Sequence, residues 1–322
     1  MDILNNVKKV PGGLLLVPMF ATALINTIAP EVLMIGNPTT AIFTSAGTMT
    51  IIGIILFIAG SQLKLNQLAM AIKRGGVFVL VKILIGFATG AFVFRIFGED
   101  GFLGISALAL VVTMASCNPG IYMALVQQYG DNIDQAAFGL LTIIAVPALP
   151  ILILNYSSTG IIDYMGIAAT LLPFILGMIL GNIDPKIAGL MAPGTPICLV
   201  FLGFCFGSSI NLVNALKAGP TGLLLALLFL IVNIPIFLFV DKGILRRPGY
   251  AGVAFSSLGG LAVGIPIVIA STLPSFAPFA QTATAQIATA FVIVSFATPY
   301  ITKLVVRKYG KGDKDENYNF SS

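Results

Sequence analysis

Thirty consecutive residues, Gly101 to Gly130, carry no charge, and the middle of the run reads Ser116-Cys117-Asn118-Pro119-Gly120. About 20 apolar residues span a bilayer, so the run is long enough to cross one. Proline removes an amide donor and blocks the helix, and glycine loosens it. A break at membrane depth is tolerated only where the freed backbone is buried in protein or lines a wet cavity. Transporters place substrates and ions at such breaks.

The rest of the chain fits a membrane setting. Of its 322 residues 57% are hydrophobic and only 9% charged, with a mean hydropathy of +1.02. A soluble domain carries about 25% charged residues. No His is present, which removes His acid–base chemistry and His metal ligands. Cys117, Cys198 and Cys205 lie in apolar runs without a CxxC pattern and read as reduced packing residues. There is no GxxxxGK[ST] motif, which argues against a primary pump.

Ten spans are predicted near 12–30, 41–61, 76–97, 102–129, 134–155, 161–182, 193–211, 220–240, 250–273 and 279–303. Cytoplasmic loops are enriched in Lys and Arg. With the N-terminus inside, all 17 Lys and Arg except Arg95 and Lys217 fall on the cytoplasmic side. Both termini are therefore expected there. The pI near 9.1 reflects this topology and not a nucleic-acid partner.

The halves resemble each other. Pro18 and Pro30 recur as Pro173 and Pro185 at an offset of 155. Phe57, Gly60, Ser61 and Leu65 recur as Phe204, Gly207, Ser208 and Leu212 at an offset of 147. Gly104-Ile105-Ser106-Ala107 matches Gly252-Val253-Ala254-Phe255 at 148, which sets Asn118 opposite Pro266. Units of five spans, an odd number, must lie inverted to each other. The expected organisation is a repeat at 1–155, an inverted repeat at 156–305 and a disordered cytoplasmic tail at 306–322. Spans 4 and 9 are expected to be broken, at Asn118-Pro119-Gly120 and at Gly264-Ile265-Pro266.

KVPGGLLLVPMF (9–20), FIAGSQLKL (57–65), IYMALVQQYG (121–130), LGNIDP (180–185) and AGVAFSSLGGLAVGIP (251–266) resemble the 2-keto-3-deoxygluconate permease family. The resemblance covers roughly residues 8–305. It implies proton-coupled uptake of a sugar acid across the bacterial inner membrane. It also implies a fold similar to that of the bile-acid sodium symporters: all-α, ten transmembrane helices in two inverted five-helix repeats, with helices 4 and 9 broken and crossed. The expected partners are the lipid bilayer and a small anionic sugar acid. No cofactor is expected beyond the coupling cation, H+ or Na+. The family pattern carries D-M-T-N-G-G at the first break, where 115–120 read A-S-C-N-P-G, so Asn118 matches and Ala115 replaces the acid. The family's E-S-G-P is Ile144-Ala145-Val146-Pro147 here.

Unpaired amides at a half-helix N-terminus attract an anion. Asn118, Gly120 and Gly264 are placed at such termini. Asn118 can cap its helix as well as touch substrate. Thr113 and Ser116 precede the break and either back-bond within their helix or contact substrate or ion. Ser256 and Ser257 are expected at the helix crossing, where Gly259 and Gly260 permit close approach. Lys82, six residues into span 3, either snorkels to the interface or points inward to the substrate carboxylate or a proton path. Gln281, Gln286 and Asn233 are buried polar candidates that bridge helices or bind ligand, and Gln286 is also a candidate for ion coupling. All twelve acids fall at span ends or in loops. Sodium coupling, uncoupled transport and another organic anion therefore stay open beside proton symport. A membrane enzyme or scaffold is the distant alternative, disfavoured by the lack of His, of an intramembrane carboxylate pair and of clustered metal ligands.

Overall fold

The apolar runs become helices because a backbone withdrawn from water must satisfy its own amides and carbonyls. The computed structural model describes residues 2–9, 13–65, 72–144, 148–159 and 164–312. Among them there is no strand, only an isolated bridge between Phe102 and Ile105. Short helical turns aside, the order is α1 Gly13–Ile28, α2 Thr48–Ser61, α3 Val77–Phe97, α4 Ala107–Ala115, α5 Pro119–Tyr129, α6 Asn132–Ile144 and α7 Ala148–Thr159 in the first half. The second half contains α8 Tyr164–Ile183, α9 Gly194–Gly207, α10 Leu212–Phe239, α11 Tyr250–Phe255, α12 Ile265–Thr272 and α13 Ala277–Tyr309. By length and composition, five helices of the described residues can cross a membrane, or six if the bent pair around Gly264 counts as one span. The chain is an all-helical, multi-pass membrane protein.

One expected boundary needs correction. The tail was expected to begin at 306, but α13 continues through Tyr309 and stops at Gly310, whose φ of 90° suits glycine. The Gly312 amide then donates to the Tyr129 carbonyl (2.9 Å). The expected counterpart of E-S-G-P at 144–147 falls largely outside the described residues.

The helices pack in two groups. α1 lies along α9 and α2 along α8, and α2 also meets α9. In the other group α10 lies along α13, α3 packs on α4 and α7, and α11 packs on α5 and α13. Small residues let the first group approach closely. A Cβ on Gly207 would strike the Met19 carbonyl and the Ala23 amide, and one on Gly60 would strike the Phe174 carbonyl and the Met178 amide. These contacts interchange under the offsets of 147 and 155 read from the sequence. The same exchange relates two loop bonds: Leu65 N donates to Asn182 Oδ1 (3.0 Å) and Leu212 N to Thr27 Oγ1 (3.0 Å).

Candidate functional site at the helix crossing

The break between α4 and α5 follows from its residues. Pro119 disfavours a helical conformation in the residue before it, and Asn118 is extended (φ −115°, ψ 96°). Pro119 then occupies the first helical position, where its missing N–H is not required. Asn118 Oδ1 accepts from Ile121 N (3.2 Å), so the expected cap is present.

A second non-helical segment, Ser256 to Gly259, runs against the first. Asn118 N donates to Ser257 Oγ (3.3 Å), and Gly259 N donates to Ser116 Oγ (3.2 Å). Asn118 Nδ2 also donates to the Leu258 carbonyl (3.2 Å). A Cβ on Gly259 would strike the Cys117 carbonyl. The chain does bend by 57° at Gly264, yet the residues bonded to Asn118 are Ser257 and Leu258, not Pro266. The bonds exchange Asn118 with Gly259 and Ser116 with Ser257, so the position matching Asn118 across the crossing is Gly259, seven residues before Pro266. The Ser-Ser-Leu-Gly-Gly segment leaves its helix ahead of the proline. Gly264 packs under the Phe206 ring, away from the crossing.

A cavity of about 720 Å³ opens beside the crossing, between the two helix groups. One wall is Leu14, Leu15, Ile55, Leu56, Ala59, Thr195 and Leu199, and the other includes Asn118, Gly120, Ile121, Gln128, Gly260, Phe291 and Ser295. Its residues are mostly apolar and none carries a charge. Of the predicted site residues, Asn118 and Gly120 line it. Ser257 does not line it but accepts from Asn118 N, and Ser116 accepts from Gly259 N, which does line it. Ser256 is buried, its Oγ donating to the Asn233 carbonyl (3.2 Å). Thr113 is fully buried on α4, and its hydroxyl has no hydrogen-bond partner. Gln286 sits elsewhere, donating to the Gly104 carbonyl and Thr221 Oγ1 (2.8 Å each), so it bridges helices.

Lys82 does not snorkel. It is 0% exposed, and its Nζ donates to Asn233 Oδ1 (2.6 Å). Three ring faces, Phe229, Phe237 and Phe255, lie 4.7–5.7 Å from the ammonium and stabilise it. Asn233 in turn donates to Met114 Sδ (3.4 Å) on α4, and Gly86, one turn beyond Lys82, packs on Ala115. The cation thus lies behind both breaks without lining the cavity.

Two of the acids at span ends are nonetheless fully buried. Asp134 and Asp241 are both 0% exposed. Arg74 joins them, its Nε 2.7 Å from Asp134 and its Nη2 3.0 Å from Asp241. Tyr250 donates to Asp134, Gly252 N to Asp241 (3.0 Å), and Arg247 pairs with Asp131. Tyr122 of α5 donates to the Asp134 carbonyl (2.9 Å). Span ends hid this network, because position along the chain reports depth and not lateral burial.

A multi-helix membrane protein with two packed groups, crossed broken segments and a cavity between the groups has the construction of a transporter. The comparison with known proteins makes this specific: the chain belongs to the 2-keto-3-deoxygluconate permease family, whose sequence profile matches residues 4–311. It is 34% identical over 311 residues to 2-keto-3-deoxygluconate permease 1 of Salmonella typhimurium (strain LT2), covering 97% of this chain and 98% of that protein. It is 33% identical over 314 residues to the 2-keto-3-deoxygluconate permease of Escherichia coli O7:K1 (strain IAI39 / ExPEC), covering 96% and 95%. The family is one of permeases, so this chain is a transporter and not an enzyme.

Proposed function

We propose that this protein imports a small sugar acid, 2-keto-3-deoxygluconate, across the bacterial inner membrane by proton symport. The observation that carries the reading is the uncharged cavity beside the crossed breaks, with the N-terminus of α5 opening into it. Pro119 has no amide, Asn118 Oδ1 takes the Ile121 amide, and the Asn118 carbonyl takes the Tyr122 amide (3.0 Å). The Gly120 amide is left for the substrate carboxylate, in the positive potential of the helix terminus. Lys82, when protonated, adds a positive charge behind the break, felt through a medium less polar than water.

Ten spans in two inverted repeats, with both termini cytoplasmic, complete the proposal. The interchangeable contacts of Gly60 and Gly207, and of Leu65 and Leu212, support a two-fold relation between the halves. So do the reciprocal bonds of Asn118 with Ser257 and Gly259 with Ser116. In this reading α1, α2, α8 and α9 form a frame against which the remaining bundle rocks, exposing the cavity to one side and then the other. The proton is preferred to sodium on the family resemblance, and Lys82, the buried ionisable group behind the cavity, is the side chain that could carry it.

Lys82→Met tests the substrate-facing part. The apparent affinity for 2-keto-3-deoxygluconate should fall on the order of tenfold, since a charge about 12 Å away at an effective dielectric of about 20 is worth about 1.4 kcal/mol. Uptake measured against substrate concentration reads this out. Unaltered uptake would remove Lys82 from the mechanism.

A further inference from the structure

Ser295 of α13 lies in the cavity wall, across from the frame helices, and is 3% exposed. Its hydroxyl has no hydrogen-bond partner. Other hydroxyls of the same helix are used: Thr289 donates to the Ala285 carbonyl (3.1 Å), Thr298 to Ser256 (3.0 Å) and Thr302 to Thr298 (2.8 Å). Thr284 also lacks a partner but does not line the cavity. The backbone at Ser295 is exceptional too. Four residues on stands Pro299, which has no N–H to give to the Ser295 carbonyl. One residue of the wall therefore combines an idle hydroxyl with a carbonyl deprived of its helical donor. Buried polar groups are normally paired, and each exception calls for an explanation.

Resting on the sugar-acid reading above, we propose that Ser295 is a specificity-determining contact that receives one chain hydroxyl of the substrate. A sugar hydroxyl both donates and accepts, so it satisfies the carbonyl and the serine hydroxyl together. The substrate carboxylate does not fit there, because the carbonyl repels an anion. It belongs at Gly120, on α5. A bare cation does not fit either, since two oxygens from one residue, beside Phe291 and Leu261, fall short of a coordination shell. The site thus reads the two ends of the molecule separately, charge at the α5 terminus and hydroxyl at α13. A site built to hydrogen-bond a hydroxyl rejects analogues that lack it, because its own polar groups are then left unpaired.

The test is binding of 2-keto-3-deoxygluconate to the purified full-length protein, with thermal melting of the ligand-free form. Ser295→Ala should weaken binding about tenfold, while the ligand-free protein melts at the same temperature or higher, since an unpaired hydroxyl is removed. Pro299→Ala returns an amide to the Ser295 carbonyl and should weaken binding in the same direction. Wild-type affinity in Ser295→Ala would overturn the proposal. So would a lower melting temperature of ligand-free Ser295→Ala, which marks a structural role. If the wild-type protein bound no sugar acid, the substrate class would fall first, and this contact with it.

Discussion

Arg74→Ala should destabilise the protein by about 3–5 kcal/mol, the range for removing one partner of a buried ion pair. Arg74 lies just before α3 and is the cation shared by Asp134 at the start of α6 and Asp241 beyond the end of α10. Its loss leaves two fully buried carboxylates facing each other across the space it occupied. Tyr250 and Gly252 still donate to them, one to each, and Arg247 stays 3.9 Å from Asp134, but Asp241 keeps no ion-pair partner among the described residues. Arg74→Lys should fail almost as badly. The guanidinium reaches both acids through different nitrogens, Nε and Nη2, and an ammonium is a single point. The network joins the α5–α6 corner to the α10–α11 corner, so its loss frees the half-helix that presents Gly120. Thermal melting of detergent-solubilised protein measures the effect. Arg74→Ala melting with the wild type would show that the network contributes little.

The second large effect concerns glycine in the frame. Gly207→Val should cost about 3 kcal/mol, the upper part of the usual range for overpacking, because its side chain would meet the Met19 carbonyl and the Ala23 amide. Backbone cannot swing aside as a side chain does. Gly60→Val would meet the Phe174 carbonyl and the Met178 amide in the same way. If the halves are related by a two-fold axis, the two variants should be destabilised alike, within about 1 kcal/mol, by melting under identical conditions. One tolerated and one severe would count against the repeat. Gly53 serves as a control, since a Cβ there meets nothing within 4 Å.

Much of this architecture was legible in the residues, and the reasons for the rest are specific. Uncharged runs announce helices reliably, because the bilayer allows few alternatives. The first break was legible because Asn-Pro-Gly carries its own cap and stop. At the second, the bend at Gly264 was legible from Gly264-Ile265-Pro266, but the earlier exit from the helix was not. The chain actually leaves its helix at Ser256, where the partner segment supplies hydrogen bonds that no local signal encodes. Lys82 could not be aimed from its helix, which is apolar nearly all round and so marks no inward face. Asp134 and Asp241 sit at span ends, where an exposed acid and a buried one look the same in sequence. Ser295 is an ordinary helical serine until Pro299, the cavity wall and the missing partner are seen together.

Uptake of radiolabelled 2-keto-3-deoxygluconate into sodium-free proteoliposomes, with the outside made more acidic than the inside, tests the central claim most directly. The account predicts accumulation above the external concentration, abolished by a protonophore. Absence of uptake, or accumulation that requires a sodium gradient and ignores the pH gradient, would contradict it.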